Sequence, residues 1–464
     1  MINMVNFDAA LTGFSLAVHI IFASIGIALP IIIAIAEFIA IKYKSKYYDI
    51  LSKRLTKAFA VFFAVGTASG IVVAIELLIL WPKFMSLVSK VAILPLYIEV
   101  FAFFTESILL SIYIYLWDRF KSRIRHWILI IFIALGASSS GLLITMINAF
   151  MNTPVGFNIP YYLSTGKIID VNPFAVFNTP TTWVEIGHVI FSSIFTASSL
   201  FLAYASYKIL KSNGVLKEYY KKLAKISGAV VIVSLYLTGV YGILSIHNLM
   251  VNQPEKYAAL ELNFNYGPNV PEVIGGILVN NSVIDAIYIP GLMSYLATGS
   301  FNGVIPKQDT LLYYNQSTWP PVSFVHNGFD FMAILGFVEG AFFLIVTILW
   351  IINIEPIKKK IYNKLPKKIF SDPFDSPLFL KLFIVSGILS LILLEDGWIT
   401  AEVGRVPWII YNVMTIAEAA NTSPSIIPIG IAMIIFYIAI IPLTFWFIKE
   451  VLKRENLEKE LEEE

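Results

Sequence analysis

Long apolar runs alternate with short, basic connections along this chain. Nine runs are long enough to cross a hydrocarbon layer of roughly 30 Å: residues 11–41, 58–82, 92–117, 126–150, 183–207, 226–246, 327–353, 378–401 and 425–448. The pattern predicts an all-α, polytopic membrane protein. Residues 273–297 are also fairly apolar, but Asn280, Asn281, Asp285 and Pro290 break them. A tenth span there would also put the Lys-rich 354–381 connection on the wrong side. Four regions follow: 1–246 with transmembrane helices 1–6, 247–326 as one long external loop, 327–448 with helices 7–9, and 449–464 as a charged cytoplasmic tail. A loop of that length is ordinarily functional. The tail, RENLEKELEEE, reads as a solvated helix or a disordered end.

The basic residues orient the spans. With the N-terminus outside, the inner connections 42–57, 118–125, 208–225, 354–381 and the tail hold 6, 4, 6, 7 and 4 Lys/Arg, 27 of the 33. The outer connections hold Lys83, Lys90, Lys167, Lys256, Lys307 and Arg405. Basic residues concentrate on the cytoplasmic side, so the N-terminus is expected outside and the C-terminus in the cytoplasm.

Composition removes several alternatives. The chain has 58% hydrophobic and 14% charged residues, and its mean hydropathy of +0.77 excludes a soluble domain. A net charge of +2 suggests no nucleic-acid partner. Cysteine is absent, which removes disulfides, thiolate chemistry, cysteine-held iron–sulfur clusters and c-type haem attachment. Any metal must be held by His, Met, Glu, Asp or Tyr. MINMVNFDAA has no basic segment before the first apolar run, so no cleavable signal peptide is expected.

Ionisable residues within spans are costly and mark candidate sites. His19 and His188 lie inside spans, roughly 12 Å and 8 Å from the outer end at about 1.5 Å per residue. His126 borders a basic inner connection and is expected at the interface, while His247 and His326 flank the external loop. Met332 is about one and a half turns into the seventh span. Glu99 and Glu106 are seven residues apart in YIEVFAFFTES, which puts both on one helix face. Glu106 is the deeper of the two. Glu402 closes the eighth span on the outer side, in AEVGRVPWIIYN. A single buried histidine often only bonds a neighbouring helix, and a methionine usually only packs. Glu37, Glu76 and Glu185 read as helix–helix hydrogen-bonding groups. It is the set His19, His188, Met332, Glu99 and Glu402, at one depth, that suggests a shared site. His and Met can serve as the axial pair of a low-spin haem. Arg405 supplies a planar, permanently charged fork for buried carboxylates such as Glu402 or for haem propionates.

From GFSLAVHIIFASIGIALP to the last span, the chain resembles subunit I of the cytochrome bd quinol oxidases. The most specific match is Glu402-Val403-Gly404-Arg405-Val406-Pro407-Trp408, which fits the family's Glu-x-Gly-Arg-x-Pro-Trp, with Trp398 of EDGWITAE also matching. The resemblance implies that His188 and Met332 ligate a low-spin haem b. It implies His19 and Glu402 as ligands of two high-spin haems, one a haem b and the other the oxygen-reducing haem, a haem d or a third haem b. Glu99 would lie beside the high-spin pair. Glu106, with Ser140 and Asn148, would carry protons. NQPEKYAALE matches the family's quinol loop, which implies quinol contact by Lys256 and Glu261. The resemblance further implies quinol-to-oxygen electron transfer that builds a proton gradient, a second oxidase subunit, and a prokaryotic cell membrane. Glu99, Glu106, Trp398 and Arg405 would form the catalytic surroundings.

Three departures stand out. Asp330 occupies the position, two before the ligand methionine, where the family commonly has arginine; a lower potential for that haem or a compensating cation nearby is expected. Asp8 stands near the start of span 1, where a basic residue is usual. LNFNYGP replaces the usual acidic–Trp continuation of the quinol loop. Two rival readings predict different behaviour: a haem-binding relative that lacks one half-reaction, and a proton-coupled transporter without haem.

Overall fold

The computed structural model describes residues 3–262, 264–279, 282–305, 320–354, 372–453 and 456–463. Lys307, Asn280, Asn281 and most of the lysines of 354–381 lie outside these. In chain order, α1 is Met4–Tyr43, α2 Lys46–Leu80, α3 Pro82–Val91, α4 Ile93–Tyr115, α5 Arg123–Asn152, α6 Ile159–Thr165, α7 Thr182–Lys211 and α8 Gly214–Asn252. After a long connection come α11 Val322–Ile352, α12 Pro377–Val403, α13 Ile416–Ala419, α14 Ile426–Lys453 and α15 Leu457–Glu462, with α9 and α10 inside that connection. Among the described residues, α1, α2, α4, α5, α7, α8, α11, α12 and α14 are the nine helices long and apolar enough to cross a membrane.

Several helices overrun the apolar runs that announce them. α8 starts at Gly214 and ends at Asn252, beyond the 226–246 run at both ends. Its first turns, VLKEYYKKLAK, are rich in strong helix formers. Hydropathy marks only the part in hydrocarbon; propensity continues the helix into the polar layer.

α1 is the central helix. Ala28, Leu29, Ile32, Ile33 and Ala36 are fully buried, and α1 packs on α2, α5, α7 and α14. α8 and α12 each pack on both α7 and α11, so these four helices form a closed ring. α4 packs mainly on α5 and leaves Tyr97, Phe101, Phe104 and Ile108 exposed, a face suited to lipid or to another apolar surface.

The described part of the connection 253–321 contains α9 (Pro254–Glu261), four short strands and α10 (Leu292–Thr298). β1 (Glu272–Ile274) pairs antiparallel with β4 (Ile287–Ile289), and β2 (Ile277–Val279) pairs with β3 (Ser282–Ile284). The apolar 273–297 segment is therefore nested hairpins and a short helix, not a tenth span. Gly276 shows why: its φ is +101°, and a Cβ there would meet Ala286 Cβ at 2.8 Å. Only glycine fits that close approach.

Two expectations are refined. His126 lies in the first turn of α5, next to the basic inner connection, and is fully buried by protein. Its Nδ1 faces Glu37 Oε1 at 2.5 Å and its Nε2 faces the Tyr113 carbonyl at 3.0 Å, while the Tyr113 hydroxyl donates to Glu37 Oε2 at 2.6 Å. A carboxylate fully inside the bundle needs such donors, and His126 is one of them. The tail does not simply solvate either. Leu461 of α15 joins the main apolar core, and Glu460 accepts from Arg54 Nε at 2.8 Å.

Candidate functional site

Helices of alternating direction bring six of the sequence-marked positions to one end of the bundle. Glu99, His188 and Met332 lie in the early turns of α4, α7 and α11. Asn148 and Glu402 lie in the last turns of α5 and α12, and His19 faces the second half of α2.

Glu402 is the hub of a polar cluster. Its Oε1 accepts from Asn148 Nδ2 at 2.8 Å, and its Oε2 accepts from Arg405. Arg405 also donates to Asn152 Oδ1 at 3.1 Å. Asn152 in turn donates to Asn148 Oδ1 at 3.0 Å and to Glu185 Oε2 at 3.2 Å. Gln253 holds the Asn152 carbonyl at 2.8 Å, and Lys256 Nζ donates to the Ala401 carbonyl at 2.8 Å. Burial lowers the Lys256 pKa to about 8, helped by Arg405 and opposed by Glu402 and Glu185. The chain can form this knot because α12 stops at Val403. Residues after it turn back as a hairpin of β5 (Trp408–Ile410) on β6 (Met414–Thr415). Ile409, Ile410 and Met414 then cover this end of the bundle with Leu11, Phe84 and Phe150.

His188 and Met332 belong to the ring of α7, α8, α11 and α12. His188 lies against Gly242 of α8, where a Cβ would stand 3.5 Å from its Cε1, and Met332 Sδ lies 3.1 Å from the Cβ position of Gly397 on α12. His188 Nδ1 faces the Thr238 carbonyl at 3.3 Å. His19 is arranged alike: its Nδ1 meets Ser69 Oγ at 2.9 Å, and Gly70 makes room for the ring, with a Cβ position 3.0 Å from His19 Cε1. In both histidines Nε2 has no hydrogen-bond partner among the described residues, the arrangement common to metal-bound imidazoles.

Glu99 and Glu106 share the face of α4 turned to α5. They interact electrostatically, Ser140 lies beside Glu99, and Gly136 backs the Glu106 side chain at 3.5 Å. Glu106 is buried and Glu99 half-buried. Trp398 is half-buried on α12.

Lys256 and Glu261 sit on one helix but meet different groups. Lys256 joins the Glu402 cluster, whereas Glu261 contacts the Glu272 carboxyl and lies near Asp330. Asp330 accepts from the Gly275 amide at 2.5 Å and lies 3.3 Å from His326 Nε2. The two ring nitrogens of His326 face the carbonyls of Leu260 at 2.6 Å and Gly275 at 3.0 Å. His326 is thus the group that faces Asp330 at the place where the family commonly has arginine.

Sequence reading overlooked Asn152, Gln253, Glu272 and Tyr257, and took Glu185 for a simple helix–helix bond. Asn148 and Asn152, one turn apart in an apolar helix, were the available signal. Asp8 and Glu76 are also buried and lie near each other.

These features define a class: a helical membrane protein with buried acids, a buried arginine, and single His and Met side chains aimed at glycine notches. Among the described residues, no three His, Asp or Glu cluster as a bare-metal site. Single ligands on separate helices suit axial ligation of a porphyrin iron, and the residues present fit such a group. The sequence profile of the family "Cytochrome bd terminal oxidase subunit I" matches residues 9–456. The chain belongs to this family. It is 34% identical over 421 residues to a Bacillus subtilis (strain 168) protein provisionally named cytochrome bd menaquinol oxidase subunit I, covering 90% of this chain and 89% of that one. It is 28% identical over 452 residues to cytochrome bd ubiquinol oxidase subunit 1 of the same organism, covering 94% and 91%. Its fold matches the bd oxidase structure from Geobacillus thermodenitrificans with a TM-score of 0.84, at 31% identity, over 98% and 99% of the two chains. The chain is a multi-pass cell-membrane protein and a bd-type oxidase subunit I.

Proposed function

We propose that this chain is the haem-bearing catalytic subunit of a quinol:oxygen oxidoreductase, working with a second membrane subunit. The observation that carries the reading is the pair His188 and Met332, on opposite members of the four-helix ring. Each lies against a glycine notch, and His188 Nδ1 faces a carbonyl while Nε2 stays available for iron.

His188 and Met332 would hold a low-spin haem b. His19 and Glu402 would hold the two high-spin haems, a haem b and a haem d or third haem b, with Glu99 beside them. Haem iron supplies one-electron transfer and, at a high-spin centre, the atom that binds oxygen. Arg405 neutralises Glu402 and keeps its carboxylate oriented. Asn148 holds the other Glu402 oxygen, whose second lone pair has no partner among the described residues. Trp398 belongs to the same wall of α12.

Oxygen reduction to water takes up four protons with four electrons. Quinol supplies electrons and releases its protons outside. If protons for water come from the cytoplasm, charge separates across the membrane without a pump. Glu106, with Glu99, Ser140 and Asn148, supports the outward proton path. Lys256 and Glu261 serve quinol from the connection 253–321. The orientation, N-terminus outside and C-terminus in the cytoplasm, follows from the 27-to-6 split of basic residues. Reduced-minus-oxidised spectra together with quinol-driven oxygen uptake test the reading. Haem bands without uptake would favour a relative lacking a half-reaction, and absent bands would favour a transporter.

A further inference from the structure

Glu272 belongs to no motif, yet it is one of the most enclosed acids of the 253–321 connection. It opens β1, whose Val273 packs with Leu260 of α9 and with Val322 and Val325 of α11. That packing sets Glu272 against Glu261. Glu272 is 8% exposed and Glu261 4%, and the two carboxyl groups are in hydrogen-bonding contact. A contact between two carboxyl oxygens requires a proton between them. The geometry points further. Glu272 Oε2 and the Tyr257 hydroxyl are both buried at this pair and without a partner among the described residues. The pair therefore has an unused acceptor and an unused donor where a mobile proton would be handed on.

Among the described residues the titratable surroundings are few. His326 and Asp330 of α11 face each other at 3.3 Å. Tyr257 shares α9 with Glu261, and β4 contributes Tyr288 opposite Val273. Lys256, on the same helix, is turned to the Glu402 cluster. Burial, then Glu272, pushes the Glu261 carboxyl well above its usual range; burial does the same for Glu272.

We propose that Glu261 and Glu272 form one proton-sharing carboxyl pair at the quinol site, and that Glu272 positions the proton which Glu261 exchanges with quinol. The proposal rests on the quinol-oxidase reading above. Quinol oxidation releases two protons and two electrons. In each half, a quinol O–H bond breaks and a carboxyl O–H bond forms on the pair. One electron passes to the oxidase's one-electron acceptor, and the pair returns its proton to water before the second half. Paired carboxylates suit this because the shared proton and the added one are bound with different affinities.

The test compares the purified oxidase complex with its E272Q, E272D and E261Q variants. One readout is the redox-induced infrared signal of protonated carboxyl groups; the other is the pH profile of quinol-driven oxygen uptake. The pair predicts a carboxyl signal that changes in E261Q and E272Q alike. It also predicts that the acidic limb of kcat/KM shifts in E272Q, because the shared proton that stabilises the singly protonated pair is gone, and that E272D restores it in part. An infrared signal and a limb that E272Q leaves unchanged would overturn the pair. If E272Q does not assemble, the change of the Glu272 signal in E261Q decides the question. Wild-type complex without quinol-driven uptake would remove the quinol reading, while the infrared comparison would still decide whether the pair shares a proton.

Discussion

Glu402 and Arg405 stand one turn apart at the end of α12, and the Arg405 guanidinium donates to the Glu402 carboxylate. Arg405 is 4% exposed and also holds Asn152. Replacing it by methionine leaves Glu402 with Asn148 alone. The expected loss is on the order of 2–4 kcal/mol, the scale of removing charged hydrogen bonds from a buried network. Thermal unfolding of the purified complex measures it, and haem content should fall with it. Stability and haem content equal to wild type would mean that the ion pair organises nothing.

His188→Ala and Met332→Leu should each remove the low-spin haem signal and leave the high-spin bands in place. Optical difference spectra read this directly. A low-spin signal that survives either change would require another ligand.

Glu106→Gln keeps the shape of the side chain and removes its proton. Turnover should fall roughly tenfold or more, within the range for losing a positioned proton-transfer group. Haem content should stay the same, because Glu106 packs against Gly136 rather than a ligand histidine. Oxygen uptake at the wild-type rate would exclude Glu106 from the proton path.

Lys256 provides a prediction in pH. Its pKa is lowered to about 8 by burial, so its ammonium is present below pH 8 and lost as pH rises through it. If the charge serves quinol, KM for quinol should rise above about pH 8. Lys256→Arg, which keeps its charge, should flatten that rise. An identical profile in both proteins would contradict the role.

The nine helices were legible because hydrocarbon thickness imposes a length filter on apolar runs, and the hairpin region because Asn, Asp, Gly and Pro break one. The candidate ligands were legible because charge and imidazole are rare in such runs. What was not legible depends on contacts across the chain. Asn152 meets Arg405 across 253 positions, and nothing near either residue announces the other. Glu272 lies on a hairpin whose register turns it inward, and a three-residue strand carries too little periodicity to reveal that. The basic neighbours of His126 mark the end of a helix but not its burial, which follows from Glu37, on a different helix.

The proposed function requires that this chain carries haem and moves electrons from quinol to oxygen. Reduced-minus-oxidised spectra of the purified complex, recorded with quinol as the only reductant and with oxygen uptake followed in parallel, test it most directly. Low-spin and high-spin haem bands should appear on adding quinol, together with oxygen consumption. A preparation with no haem bands, or with bands that quinol cannot reduce, would contradict it.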